Sequence, residues 1–229
     1  MSGACFGRCN AGVSRVSGWL PTRLTFRNLR DFCMSTGYLA MMADARACTR
    51  CAKDLPLGPR PVFQFHPSAK ILLAGQAPGR RVHESGKPYT DVSGDRLRSW
   101  MGISNEDFYD PRKVAIVPMG FCFPGTGKSG DLPPRMECAP AWREQFLGRL
   151  KRIELTLVIG QYALAYHLSG AGASLTEVVS KWRDHWPAVL PLPHPSPRNQ
   201  LWLKRNPWFE EDVLPALRLR VATALSGDG

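Results

Sequence analysis

Four short apolar runs set the limits on what this chain can fold into: residues 70–75, 113–117, 155–160 and 188–192. Each is only a few residues long, rich in aliphatic side chains and closed by glycine or proline. That suits a strand buried on both faces better than a helix. Stretches of helical character lie between and beyond them: a segment that Ser93 could cap running through Trp100, then residues 138–150, 161–168 and 175–182, and a closing helix over 208–225 in spite of Pro215. Buried strands alternating with helices predict the α/β class, as a single three-layer α/β/α domain around a short, mainly parallel sheet. Ligands in such sheets bind outside the carboxyl ends of the strands, so the loops after Leu73, Val117, Ile159 and Leu192 are where chemistry is expected.

With 229 residues, 44% of them hydrophobic and 21% charged, the chain can build one good core and is too short for two full catalytic domains. No apolar run approaches the roughly 20 residues of a membrane-spanning helix. The net charge of +11 favours polyanions, because Lys and Arg contacts to phosphates release condensed counterions. Residues 1–40 hold five arginines (Arg8, Arg15, Arg23, Arg27 and Arg30) against one acid, Asp31, among many Ser, Gly and Thr. That composition is transit-like, while Met34, Met41 and Met42 offer alternative starts. The segment is expected to be a disordered extension or a misassigned start ahead of a domain over residues 41–229. Without it the charge is still +7 (11 − 4), so the basic character belongs to the domain.

Seven cysteines occur, at 5, 9, 33, 48, 51, 122 and 138. An odd count, no clean signal peptide and one close CxxC pair argue against a secreted disulfide framework and for a reducing, cytoplasmic setting. Cys48 and Cys51 can share one metal site, and Cys122 and Cys138, flanking a loop rich in Pro and Gly, would complete a tetrathiolate shell. Spacing leaves zinc and an iron–sulfur cluster equally open, beside four unrelated buried thiols. Within that loop Gly125-Thr-Gly-Lys-Ser129 imitates the end of a phosphate-binding loop. Its required first glycine falls on Cys122, and no strand leads through it into a helix, so no nucleotide cofactor is expected.

Two loops carry the remaining signal. Gly75-Gln-Ala-Pro-Gly79 follows the first strong strand, where glycine and proline fix an unusual backbone path and expose amide groups. Pro193-His-Pro-Ser-Pro-Arg-Asn199 has three prolines in seven residues, stiff enough to hold an imidazole or to wedge into a duplex. After it, Trp202 and Trp208 interleave with Lys204 and Arg205, either as a nucleic-acid surface or as buried tryptophans in a proline-rich connection.

Taken together, Gly75-Gln-Ala-Pro-Gly79 and His194-Pro-Ser-Pro-Arg-Asn199 resemble the two signature motifs of the uracil-DNA glycosylase superfamily. Cys48, Cys51, Cys122 and Cys138 are similar in order and spacing to the cluster ligands of its iron–sulfur (family 4 type) branch. The second motif also resembles, residue for residue, that of the single-strand-selective uracil glycosylases. The resemblance covers about residues 48–225 and implies a structural 4Fe–4S cluster on the four cysteines. It makes His194 the catalytic histidine with Gln76 beside it. Gly75, Ala77, Pro78, Gly79, Tyr89 and Ser196 become substrate-binding residues, with Tyr89 stacking on an extruded base. Pro197, Arg198 and Asn199 enter the DNA. The implied activity is a monofunctional DNA glycosylase that releases a flipped-out damaged base, uracil first, from DNA containing uracil or another deaminated base.

Two departures bear on the substrate. Gln76 stands where the iron–sulfur branch usually has an acid, and glutamine can position a water but cannot take its proton. Pro118 stands where the family places the asparagine that reads uracil. His83, Glu84 and Asp91 are candidates for the missing roles. Both departures favour a second reading, a binder of damaged or abasic DNA with little turnover. No membrane partner is expected, and a monomer is.

Overall fold

In a computed structural model of the protein, residues 37–128, 130–168 and 174–227 are described; the expectations for residues 1–36 and for Ser129 lie outside them. The strands are β1 (Ile71–Ala74), β2 (Val114–Ile116), the short pair β3 (Thr126–Gly127) and β4 (Gly130–Asp131), β5 (Leu155–Ile159) and β6 (Val189–Leu192). Helical segments are α1 (residues 37–46), α2 (Arg80–Ser85), α3 (Val92–Met101), α4 (Asn105–Tyr109), α5 (Glu144–Leu147), α6 (Gln161–His167), α7 (Leu175–Ser180), α8 (Gln200–Arg205) and α9 (Leu214–Ser226).

The central sheet has the order β2-β1-β5-β6, and every pairing in it is parallel. The four apolar runs are its four strands. Pro191 lacks an amide proton and sits in β6, at the sheet's edge, where a missing donor costs least. At the opposite edge Gln64 bridges to Ile116, and its side-chain amide donates to the carbonyls of Phe108 and Val114.

Alternate side chains of β1 go to opposite faces. Ile71 and Leu73 pack with Leu97, Trp100, Phe108, Val213 and Leu217 on one side. Leu72 joins Phe63, Phe65, Phe121, Phe146 and the Met41 and Met42 side chains of α1 on the other. Ala74 and Val158 contact Ala163 and Leu164 of α6. These are the three layers anticipated for the α/β class. Each aliphatic side chain so buried contributes about 2 kcal/mol.

Helix boundaries depart from expectation for local reasons. Asp91, two residues before Ser93, caps α3 by accepting the Gly94 amide, and Gly102 in the left-handed conformation ends the helix. Pro215 is tolerated because the chain first makes a wide π turn over Phe209–Val213, which leaves the proline in the first turn of α9, where its missing donor is harmless. A second π turn, Ala139–Arg143, precedes α5. No helix among the described residues is long and apolar enough to cross a membrane.

Candidate active site

Because the sheet is parallel, the loops after β1, β5 and β6 leave from one end of it, with only β5 between the two signature loops. The first loop is tied to the chain after β2: the amides of Met119 and Gly120 donate to the carbonyls of Gly75 and Gln76. The side chain of Gln76 lies over the end of β5. A Cβ on Gly160, where φ is +83°, would fall 2.7 Å from the Gln76 amide nitrogen, so this crossing requires glycine.

Tyr89 closes one side of the first loop. Its hydroxyl would lie 2.8 Å from a Cβ on Gly75, and its ring meets Phe108 edge-on. Burial, with the nearby Asp91 carboxylate, pushes the phenol far above its ordinary pKa, so it is a neutral donor. The residue takes a left-handed backbone conformation (φ 54°), which costs a non-glycine residue energy unless its surroundings hold it. Here the Tyr89 carbonyl accepts from Arg98 Nη1 at 3.0 Å and from the Tyr109 hydroxyl at 3.0 Å. Gly94 passes so close that a Cβ there would sit 1.9 Å from that carbonyl oxygen.

The second loop is stiffened from within. Nδ1 of His194 accepts the Ser196 amide at 3.2 Å, and the Asn199 side chain donates to the His194 carbonyl at 2.7 Å. Ser196 Oγ accepts the Arg198 amide and caps a short 3-10 turn, Pro197–Asn199. Arg96 on α3 donates to the Ser196 carbonyl and to the Gln200 side chain, binding the loop to the element that begins beside Tyr89. Since Nδ1 is an acceptor, the neutral imidazole carries its proton on Nε2. Burial lowers its pKa, the charges of Asp91 and Asp131 oppose that shift and Arg198 adds to it. His194 is therefore a neutral Nε2–H donor near pH 7. Pro197 and Arg198 remain exposed, and Asn199 half-buried.

Pro118 has its carbonyl occupied. The fully buried Arg143 donates to the carbonyls of Val117 and Pro118, at 2.6 and 3.0 Å, and its other nitrogen meets His167 Nε2 at 2.6 Å. The Pro118 side chain offers no polar group to read a base, and its carbonyl already accepts from Arg143. Of the substitutes expected from the sequence, His83 is buried near Phe123 and Glu84 is exposed on α2. Only Asp91 has a charge that reaches His194. Trp202 and Trp208 are half-buried against the core, the former donating to Thr176 Oγ1, so these tryptophans follow the structural reading. No local pattern announces Arg143, the Arg98–Tyr109 clamp or Asp131. Asp131 lies in the β3–β4 hairpin, whose first strand holds Thr126 and Gly127 of the imitation phosphate loop.

Cys48, Cys51, Cys122 and Cys138 line one cavity with Ala45, Leu55, Arg135 and Trp142. Among the described residues, no three or more His, Cys, Asp or Glu side chains close on the geometry of a single ion; the thiols surround a space. The Phe121 amide donates to Cys138 Sγ at 3.3 Å and the Trp142 indole to Cys48 Sγ at 3.4 Å. Burial pushes the Cys122 thiol up to about 11 and the Cys138 thiol up to about 12. Thiols held so high ionise only against a strong cationic centre, and N–H donors aimed at sulfur favour the ionised form. This donor set fits a cluster or a metal.

One comparison bears on the whole arrangement: the family model for the uracil DNA glycosylase superfamily matches residues 62–218, a span that holds both loops and the entire sheet.

Proposed function

The chain belongs to the uracil-DNA glycosylase superfamily, and from that premise we propose that it hydrolyses the N-glycosidic bond of a flipped-out damaged base, uracil in the first place, leaving an abasic site. The observation that carries this reading is the fixed tautomer of His194, a neutral Nε2–H donor at the same sheet end as the Gln76 loop.

A base in a duplex must leave the stack to be attacked, at a cost of a few kcal/mol that falls for a mispair. Arg198 and Pro197 fill the gap in the DNA, and Tyr89 stacks on the extruded base. The Gln76 side chain and backbone amides of the first loop hold its edge. As the bond breaks, negative charge gathers on the base, and His194 strengthens its hydrogen bond to the base oxygen. A preorganised donor of this kind lowers the barrier by about 3–4 kcal/mol. Cys48, Cys51, Cys122 and Cys138 would hold a 4Fe–4S cluster that joins the segment before β1 to the segment after β2 and takes no part in bond breaking. The protein acts as a monomer.

The alternative, a binder of damaged or abasic DNA, draws on Gln76 and on the occupied carbonyl of Pro118. Incubation with uracil-containing, hypoxanthine-containing and abasic duplexes followed by alkali separates the two. Strand breaks that require a modified base are the expected result; retarded abasic DNA without breaks would make it a binder.

A further inference from the structure

Resting on the glycosylase reading, the geometry points to Asp131 as a second catalytic group, whose carboxylate takes the proton of the water that attacks the sugar. Hydrolysis needs such a group, because Gln76 can orient a water but cannot accept its proton. The β3–β4 hairpin returns the chain to the first loop. Its base is fixed by the Leu132 amide donating to the Gly125 carbonyl. Asp131 Oδ2 then lies 3.3 Å from the point where a Cβ of Gly79 would be, so glycine at 79 leaves open the space beside the carboxylate. One residue earlier, Gly130 (φ +142°) would place a Cβ 2.3 Å from Arg198 Nη1. The hairpin thus touches both signature loops at successive residues.

Asp131 is exposed, and among the described residues its carboxylate has no hydrogen bond or ion pair, so both of its oxygens are available to a water. Asp91 is otherwise engaged: one of its oxygens accepts the Gly94 amide at the start of α3. The charged groups around Asp131 are Arg198 at the preceding residue and Lys128 in the hairpin; its field also meets that of Asp91 at the neutral His194. In the step itself the C1′–N bond breaks and its electron pair leaves with the base, whose oxygen is held by His194 Nε2–H. The water oxygen bonds to C1′ and its proton passes to Asp131. Asp131 returns that proton to solvent, from which the base anion is protonated, so the sum is water plus nucleoside giving free base and an abasic sugar.

The test is single-turnover base release by the wild type, Asp131→Asn and Asp91→Asn across pH, with abasic-duplex affinity measured in parallel. Asp131→Asn is expected to slow release by about a hundredfold or more, to lose the acidic limb of the pH–rate profile and to keep or tighten abasic-DNA binding. Formate should partly restore Asp131→Ala, as it would not for a group with a structural role. Release by Asp131→Asn within threefold of wild type with the limb intact overturns the assignment, as does loss of the limb in Asp91→Asn alone. Wild type that releases no base from any lesion overturns the glycosylase reading itself, a different result from an active wild type beside an equally active Asp131→Asn.

Discussion

The signature loops at the sheet's end and the cysteine cavity both bury ionisable side chains, and burial drives both sets toward neutrality. In the second loop the pKa of His194 falls; in the cavity the thiols of Cys122 and Cys138 rise to about 11 and about 12. The consequences are opposite. On the proposed reading a neutral imidazole with its proton on Nε2 is already in its working state, ready to donate to a base oxygen. A neutral thiol is a poor ligand, so the cluster proposed for the cavity would have to displace the protons. The proposed roles thus rest on preorganisation at the loops and on charge compensation in the cavity. The two regions meet at the segment after β2, where Met119 and Gly120 hold the first loop and Cys122 lines the cavity.

The comparison breaks most completely at the cavity. Cys122→Ala is expected to lose iron, the visible chromophore and most of the soluble protein, read by metal analysis and absorbance. Fully active, colourless, iron-free wild type would remove the cluster. Gly94→Ala comes next, since its Cβ would strike the Tyr89 carbonyl oxygen at 1.9 Å. Overpacking against backbone should cost about 3 kcal/mol, visible in the denaturation midpoint, with base release falling further than stability accounts for. A variant as stable and active as wild type would show that the clamp on Tyr89 does not matter.

The smallest effect concerns acid. His167 is pushed down to about 4, first by burial and then by Arg143, and burial also lowers His66, His83 and His194. These histidines take up protons more readily when unfolded. The stability they confer is therefore present above the ordinary pH of about 6.5 and is lost as pH falls; for His167 the loss continues to about 4. Thermal melts should drop across that window, and His167→Gln should shallow the slope. A flat profile in wild type would contradict the burial argument.

Much of the fold was legible because the four strands are buried on both faces and so read as unbroken apolar runs. The stiff loops were legible because proline and glycine at Pro193, Pro195, Pro197, Gly75 and Gly79 announce turns directly. Long-range pairings leave no local trace. Nothing in the sequence says that Arg143 reaches the carbonyl of Pro118, that Arg98 and Tyr109 converge on Tyr89, or that a hairpin carries Asp131 back to Gly79. One local misreading had a local cause: Asp91 rather than Ser93 caps α3. The closing helix expected in spite of Pro215 does form, and only the π turn that opens it was not anticipated.

The most direct measurement is single-turnover release of uracil from duplex DNA by wild type and His194→Ala between pH 5 and 8, with abasic-duplex affinity as the control. Wild type should release the base, and His194→Ala should do so at least about a hundredfold more slowly while binding abasic DNA nearly as well. Equal release by the two proteins would contradict the role assigned to the imidazole.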